Sequence, residues 1–237
     1  MSGRAPIVTS IVVDFDGTIC EQDVSEELLQ AFAPASWWDI DLEFRRGEIG
    51  SRECLTRQAA LLPGTQDELL RFAVDRYPIA PSFAPFVEWA RKSGIEPVVA
   101  SDGMGFYVEP ILRAAGIDGL RVLTNEPLPG GPATGFRFGS AHPECVGCGT
   151  CKMQIVQRSR ANGPVAFVGE GHTDRYGALF ADVVFAKKHL PEICRADGVP
   201  FIAWETFDDV RDSLESLTEL PGPVAPPVCP GWTVPSS

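Results

Sequence analysis

Two carboxylates two residues apart close an apolar run, Ile11-Val12-Val13-Asp14-Phe15-Asp16-Gly17-Thr18. On an extended chain Asp14 and Asp16 point to the same face. One could ligate a metal and attack an electrophile while the other handles a proton. At the end of a buried strand such a pair is costly unless a cation or another partner offsets it. The alternative is an Asp-Gly hairpin turn; it needs a returning strand, and residues 21–29 read instead as a capped helix start. Three later segments carry complementary groups. Val98-Val99-Ala100-Ser101-Asp102-Gly103 ends on a hydroxyl and a glycine, which can offer Ser101 Oγ and backbone N–H groups to an anion. Gly149-Thr150-Cys151-Lys152 leads a lysine into a helix, where its charge could neutralise a developing anion. Ala166-Phe167-Val168-Gly169-Glu170-Gly171-His172-Thr173-Asp174 ends on two carboxylates four residues apart, hard oxygen ligands that suit Mg²⁺. His172, alone in that run, reads as a surface side chain.

These groups need a scaffold, and the hydrophobic pattern predicts one. Strands are expected at 7–14, 96–101, 120–124, 165–169, 182–186 and 200–203, with helices at 83–93, 105–115, 152–160 and 174–180. Short Val- and Ile-rich strands alternating with helices imply an α/β fold, a parallel sheet covered on both faces. Residues from about 21 to 77 carry no strand pattern and read as helices at 26–33, 37–46, 51–62 and 66–77. The expected organisation is a core of 1–18 and 80–220, a small helical cap of 19–79 inserted after the first strand, and a proline-rich, disordered tail of 221–237. Such a cap sits at the carboxyl ends of the strands, where open α/β sheets bind ligands. Within the Pro- and Gly-broken stretch 125–150, residues 135–138 suggest a short hairpin arm.

Composition narrows the partners. A formal net charge of −12 over 237 residues disfavours nucleic acid, whose phosphates want a basic face. The chain shows neither a long apolar leader nor an uninterrupted apolar stretch that would span a bilayer, so a cytoplasmic location is expected, with no membrane partner. Seven unevenly spaced cysteines do not form a secreted disulfide framework. Four of the soft or borderline ligands fall within ten residues: His142, Cys145, Cys148 and Cys151. They could hold a structural Zn²⁺, or pack as reduced thiols. Oligomeric state is left open.

Taken in order, the four segments resemble the motifs of the haloacid-dehalogenase-like (HAD) phosphohydrolases, and the resemblance covers the chain up to the tail. The helical insert resembles the phosphoserine-phosphatase-like branch. Phe32-Ala33-Pro34, Leu61-Leu62-Pro63, Gly103-Met104, the cysteines before Lys152 and Phe185-Ala186 resemble its methionine-salvage members. The resemblance implies a HAD-like Rossmannoid core with a cap, acting on a small phosphorylated metabolite. It makes Asp14 the nucleophile that forms an aspartyl-phosphate and Asp16 the proton donor and acceptor, with Ser101 and Lys152 completing the catalytic set. It assigns Mg²⁺ to Asp14, the Asp16 carbonyl and Glu170, with Asp174 ligating or orienting a water. It puts Thr18, Asp23, Arg57, Asp102 and Gly103 toward the substrate. Two positions depart from the family pattern: Glu170 stands for the usual aspartate and Asp102 for a glycine. They leave open a second reading, a catalytically weak or inactive HAD-like binding or scaffold protein. Phosphotransfer and dehalogenation share the nucleophile, but dehalogenation needs no metal carboxylates. Gln58, beside Arg57, aligns with the carboxylate-binding arginine of phosphoserine phosphatases, which argues against phosphoserine as substrate. Trp37, Trp38 and Phe44 either line an apolar pocket or fill the cap's core.

Overall fold

The computed structural model describes residues 6–233. The first strand, β1 (Ser10–Val13), is buried along its whole length. The chain turns through Phe15–Ile19 and enters α1 (Val24–Phe32), α2 (Trp37–Arg45), α3 (Ser51–Ala59) and α4 (Gln66–Arg76) before α5 (Phe83–Lys92) leads back to the sheet. There follow β2 (Glu96–Ala100), α6 (Val108–Ala114), β3 (Arg121–Leu123), and a small hairpin of β4 (Glu126–Pro127) and β5 (Phe136–Arg137). The second half alternates: α7 (Lys152–Arg160), β6 (Val165–Gly169), α8 (Arg175–Phe180), β7 (Val183–Ala186), α9 (Leu190–Asp197), β8 (Ile202–Ala203) and α10 (Phe207–Ser216).

The six-stranded sheet has the order β3-β2-β1-β6-β7-β8, and every pairing in it is parallel. Alternation distributes β1 between the two faces: Ile11 and Val13 join one apolar cluster, Val12 the other. Crossovers leave β1 toward β2 on one side and reach β6 on the other, so the strand order reverses between β1 and β6. A crevice opens at such a reversal, outside the carboxyl ends of the strands. Asp14 and Glu170 follow directly on these two strands.

The residues that leave β1 return through a narrow neck. Ala80 N–H donates to the Ile19 carbonyl at 2.7 Å, and Cys20 pairs with Ile79 as a single antiparallel bridge. Side chains of α1, α3 and α4, among them Leu28, Leu55 and Leu69, share one apolar cluster with Phe15, Phe83 and Phe86 of the sheet layer. Among the described residues no helix is long and apolar enough to cross a membrane.

Local differences from the sequence reading have physical causes. The helix expected from 105 begins at Val108, because Gly105 takes a left-handed φ of +72° and backs onto the Asn125 carbonyl. The hairpin arm is real, Glu126 facing Arg137 across an antiparallel pair. Helices α9 and α10 had no counterpart in the sequence reading. Over 221–233 the tail runs largely exposed and makes its packing contacts near its described end. Cys229 and Gly231 are buried, a Cβ on Gly231 would lie 3.1 Å from the Tyr176 ring, and Trp232 stands edge-on to His142. Prolines restrict the free chain, so few contacts suffice to seat it. Residues 1–5 of the expected core segment and 234–237 of the expected tail lie outside the described residues.

Candidate active site

A cavity of about 390 Å³ lies between the strand ends and helices α1 to α3. Asp14, Asp16, Asp102, Gly103 and Glu170 form its floor, and Asp23, Trp37, Phe44, Leu55 and Gln58 come from the helical insert. Thr18, Ser101, Lys152 and Asp174 are buried behind that floor, none more than 1% exposed.

The centre is a lysine between two acids. Lys152 opens α7 and sends its side chain under the end of β1, where Nζ lies 2.5 Å from Asp14 Oδ1 and 2.6 Å from Asp174 Oδ1. Thr173 Oγ1 accepts a third hydrogen bond at 3.3 Å. Burial opposes the ammonium, but Asp14 and Asp174 outweigh it and hold its proton above the ordinary lysine range. One cation cannot satisfy two buried carboxylates. Burial and the neighbouring Asp174 accordingly push Asp14 well up, with Lys152 pulling the other way. Asp174 is consumed by structure: Oδ1 takes Lys152, while Oδ2 accepts the N–H groups of Glu170 and Gly171 at 2.8 and 2.9 Å. In this arrangement it fixes the Glu170 loop and the lysine and does not line the cavity.

Asp16 stands in the turn after β1, made possible by Gly17 at φ +70°, where a Cβ would come within 2.7 Å of Glu170 Cδ. Its carboxyl keeps one side toward the cavity and is enclosed elsewhere. Tyr107 Oη donates to it at 2.8 Å, Val24 N–H at 3.1 Å and Ser101 Oγ at 3.3 Å. Burial and the nearby Asp23 push it up to about 8, in spite of those donors. At neutral pH Asp16 therefore holds a proton, as a general acid must.

Glu170 is raised by burial and by Asp174, and Lys188 Nζ lies 3.4 Å from its Oε2. Lys188 is the one non-glycine with left-handed backbone among the described residues, at φ 51°. Its ammonium also donates to the Glu21 carbonyl at 2.9 Å. Asp14, the Asp16 main-chain carbonyl and Glu170 are hard oxygen donors in a region with more carboxylates than ammonium groups, which is the chemistry Mg²⁺ fits. That ion takes only one or two carboxylates and keeps several waters.

Other expected site residues fall in varied places. Asp23 lines the cavity while capping α1 through the Glu26 N–H at 2.9 Å. Asp102 lines it too, but its oxygens accept from Ser51 Oγ, Thr150 N–H and Asn125 Nδ2 at 2.5, 2.6 and 3.1 Å, so it ties α3 and the loop before α7 to β2. Gly103 must be glycine, as a Cβ there would lie 2.5 Å from both Asp16 Oδ2 and Tyr107 Oη. Thr18 does not reach the substrate side: its buried hydroxyl has no hydrogen-bond partner, and its carbonyl accepts from Lys187. Arg57 does not line the cavity either. Glu43 holds it by two contacts of 2.6 and 3.0 Å, with Glu53 at 3.4 Å, and the neighbouring Gln58 faces the cavity instead. Trp37 and Phe44 line the cavity, Trp38 is exposed, and His172 sits exposed at the rim.

The zinc expectation finds no support in the geometry. Among the described residues no group of three or more His, Cys, Asp or Glu is disposed to hold a metal ion. His142 Nδ1 accepts the Glu144 N–H, the Cys145 thiol points at the Gly231 carbonyl, and Cys151 is buried in an apolar cluster. Burial pushes Cys148 well up and Cys151 to about 11.

Tyr107, Ser25 and Lys188 escaped the sequence reading. Tyr107 lies in an apolar aromatic run that reads as core, whereas a pair of lysines just beyond β7 was a usable signal for Lys188.

Comparison with known proteins gives one consistent answer. Residues 11–176 match the family described as haloacid dehalogenase-like hydrolase. A 2-hydroxy-3-keto-5-methylthiopentenyl-1-phosphate phosphatase from Brevibacillus brevis is 31% identical over 87% of this chain and 95% of its own. The protein of the same name from Geobacillus kaustophilus is 30% identical over 86% and 94%. In fold, the chain is similar to a phospho-aspartyl intermediate analogue of phosphoserine phosphatase, with TM-score 0.66 and 17% identity over 86% of this chain and 98% of that one.

Proposed function

The chain belongs to the haloacid dehalogenase-like hydrolases and is a phosphoric monoester hydrolase of that family, and on that premise we propose that it dephosphorylates a small methylthio-ketose phosphate of the 2-hydroxy-3-keto-5-methylthiopentenyl-1-phosphate kind through an aspartyl-phosphate on Asp14. The carrying observation is that Asp14, bound to Lys152 Nζ at 2.5 Å, and Asp16, raised to about 8, lie together on the floor of one cavity. Leu29, Trp37, Phe44 and Leu55 give that cavity an apolar end suited to a thioether tail. Arg57, bound to Glu43, offers no fork to an amino-acid carboxylate.

Asp14 attacks phosphorus while Asp16 protonates the departing alkoxide. Asp16, now a carboxylate, then takes a proton from the water that attacks the aspartyl-phosphate, and Asp14 is released with phosphate. Lys152 holds Asp14 in line and offsets its charge, and Ser101 supports Asp16 from below. Mg²⁺ held by Asp14, the Asp16 carbonyl and Glu170 would add positive charge against the phosphoryl oxygens. We place the enzyme in the cytoplasm, with a small phosphorylated metabolite as its partner.

Purified chain with Mg²⁺ is expected to release phosphate from 2-hydroxy-3-keto-5-methylthiopentenyl-1-phosphate faster than from phosphoserine across a panel of monoesters. Asp14→Asn should abolish turnover with an unchanged circular dichroism spectrum. Near-normal activity in that variant would sink the nucleophile assignment. Tight binding without turnover in the wild type would favour the reading as a binding protein.

A further inference from the structure

Tyr107 has the surroundings of a core residue and the contacts of a site residue. It is fully buried, its ring 6.0 Å from Phe15 and 5.3 Å from Phe106 between centroids. Its hydroxyl, however, lies 2.9 and 2.8 Å from the two carboxyl oxygens of Asp16. A third neighbour is Ser25 Oγ at 2.7 Å, and Ser25 Oγ itself accepts the Met104 N–H at 3.2 Å. The Met104 amide can only donate. The Ser25 proton is then free to point at Tyr107, and the Tyr107 proton at Asp16. Hydrogen bonds aligned in one direction polarise and strengthen each other. Ser25 belongs to α1 of the insert and Tyr107 precedes α6 of the sheet layer, so the chain of contacts spans both layers and ends on the acid. Gly103 leaves the room for it, since any side chain there would collide with both Asp16 and Tyr107.

We propose that Tyr107 is a positioning residue for the Asp16 acid–base, fixing the plane of its carboxyl toward the leaving oxygen, and that Ser25 links this alignment to the seating of helix α1. The proposal rests on Asp16 as proton donor. In the first step the Asp16 proton passes to the leaving oxygen as the P–O bond breaks and the Asp14–P bond forms. In the second, Asp16 takes a proton back from the attacking water. Tyr107 keeps its own proton throughout, which burial and the facing Asp16 and Asp23 favour.

Tyr107→Phe removes only the hydroxyl and keeps the ring. The expected result is a near-native Tm, a KM within about twofold, and a kcat on an alkyl phosphate lower by about 10- to 100-fold, part of the roughly 10²–10⁴-fold that general acid–base catalysis supplies. With p-nitrophenyl phosphate, whose leaving group needs no proton, the first-turnover burst should keep its wild-type rate while steady-state turnover falls. Ser25→Ala should shift kcat in the same direction by less. Wild-type kcat in Tyr107→Phe, or equal losses in the burst and on the alkyl phosphate, would overturn the proposal. A crystal structure of Tyr107→Phe gives a readout independent of turnover. The Asp16 carboxyl should leave its present orientation, and an unmoved carboxyl defeats the idea even if wild-type hydrolysis itself, and with it the proposed function, fails.

Discussion

At the residue scale the site is a problem in charge balance. Lys152, 1% exposed, serves Asp14 and Asp174 at once. Lys152→Met should leave two buried carboxylates facing each other and cost about 3–5 kcal/mol, readable by urea titration. The pH dependence has a definite sign. Asp16 moves from an ordinary 3.8 to about 8 in the folded chain. Between those values the native state keeps a proton that the unfolded state has lost. Its stabilising contribution is therefore complete below about pH 4 and disappears as pH rises through about 8. Asp14, Asp23, Asp102 and Glu170 are raised as well, while His172 alone of the cavity side chains is lowered and works in the opposite sense. Five groups against one decide the direction. In chelator, Tm should fall from pH 5 to pH 8, less steeply in Asp16→Asn, and Mg²⁺ should restore part of the loss at pH 8. Asp14, Asp16, Lys152 and Glu170 were legible because charged groups at the ends of apolar runs stand out. Tyr107 and Ser25 were not, since their importance comes from distances between segments far apart in sequence.

At the element scale, α3 is fastened to the sheet by its first turn. Ser51 Oγ donates to Asp102 at 2.5 Å, Arg52 N–H to the Gly147 carbonyl at 3.3 Å, and Arg52 Nε to the Cys148 carbonyl at 3.3 Å. Gly50 makes this possible, because a Cβ there would run into the Gly147 backbone. Asp102, which departs from the family's glycine, is the post to which α3 is tied. Ser51→Ala should cost about 1.5–3 kcal/mol, as a hydrogen bond to a charged group is lost. If α3 loosens as a result, KM for the proposed substrate should rise more than kcat falls, by steady-state kinetics. The strands were legible from β-branched runs, and α7 from its position after Lys152. The start of α6 was misplaced by three residues because Gly105 is held by a contact with Asn125 that local sequence does not encode.

At the scale of the whole molecule, the parallel sheet followed from the alternation of strands and helices, and the order reversal between β1 and β6 brings Asp14 beside Glu170. The tail has the composition of a free segment, and its contacts gather at Cys229 and Gly231. Gly231 caps the Tyr176 ring and receives the Cys145 thiol, and a Cβ on Gly147 would lie 2.6 Å from its carbonyl. Removing 221–237 should lower Tm and raise the rate at which Cys145 reacts with a maleimide, measured by mass spectrometry. The neck at Ile19 and Ala80 carries a different kind of consequence. The insert departs and returns through backbone atoms one hydrogen bond apart, and the cost of closing a loop grows only slowly with its length. At this point the length of the insert can change with little entropic cost to the sheet's register, whereas Val24, Ser25 and Ser51, which touch Asp16, Tyr107 and Asp102, bind the insert's first half to the hydrolytic floor.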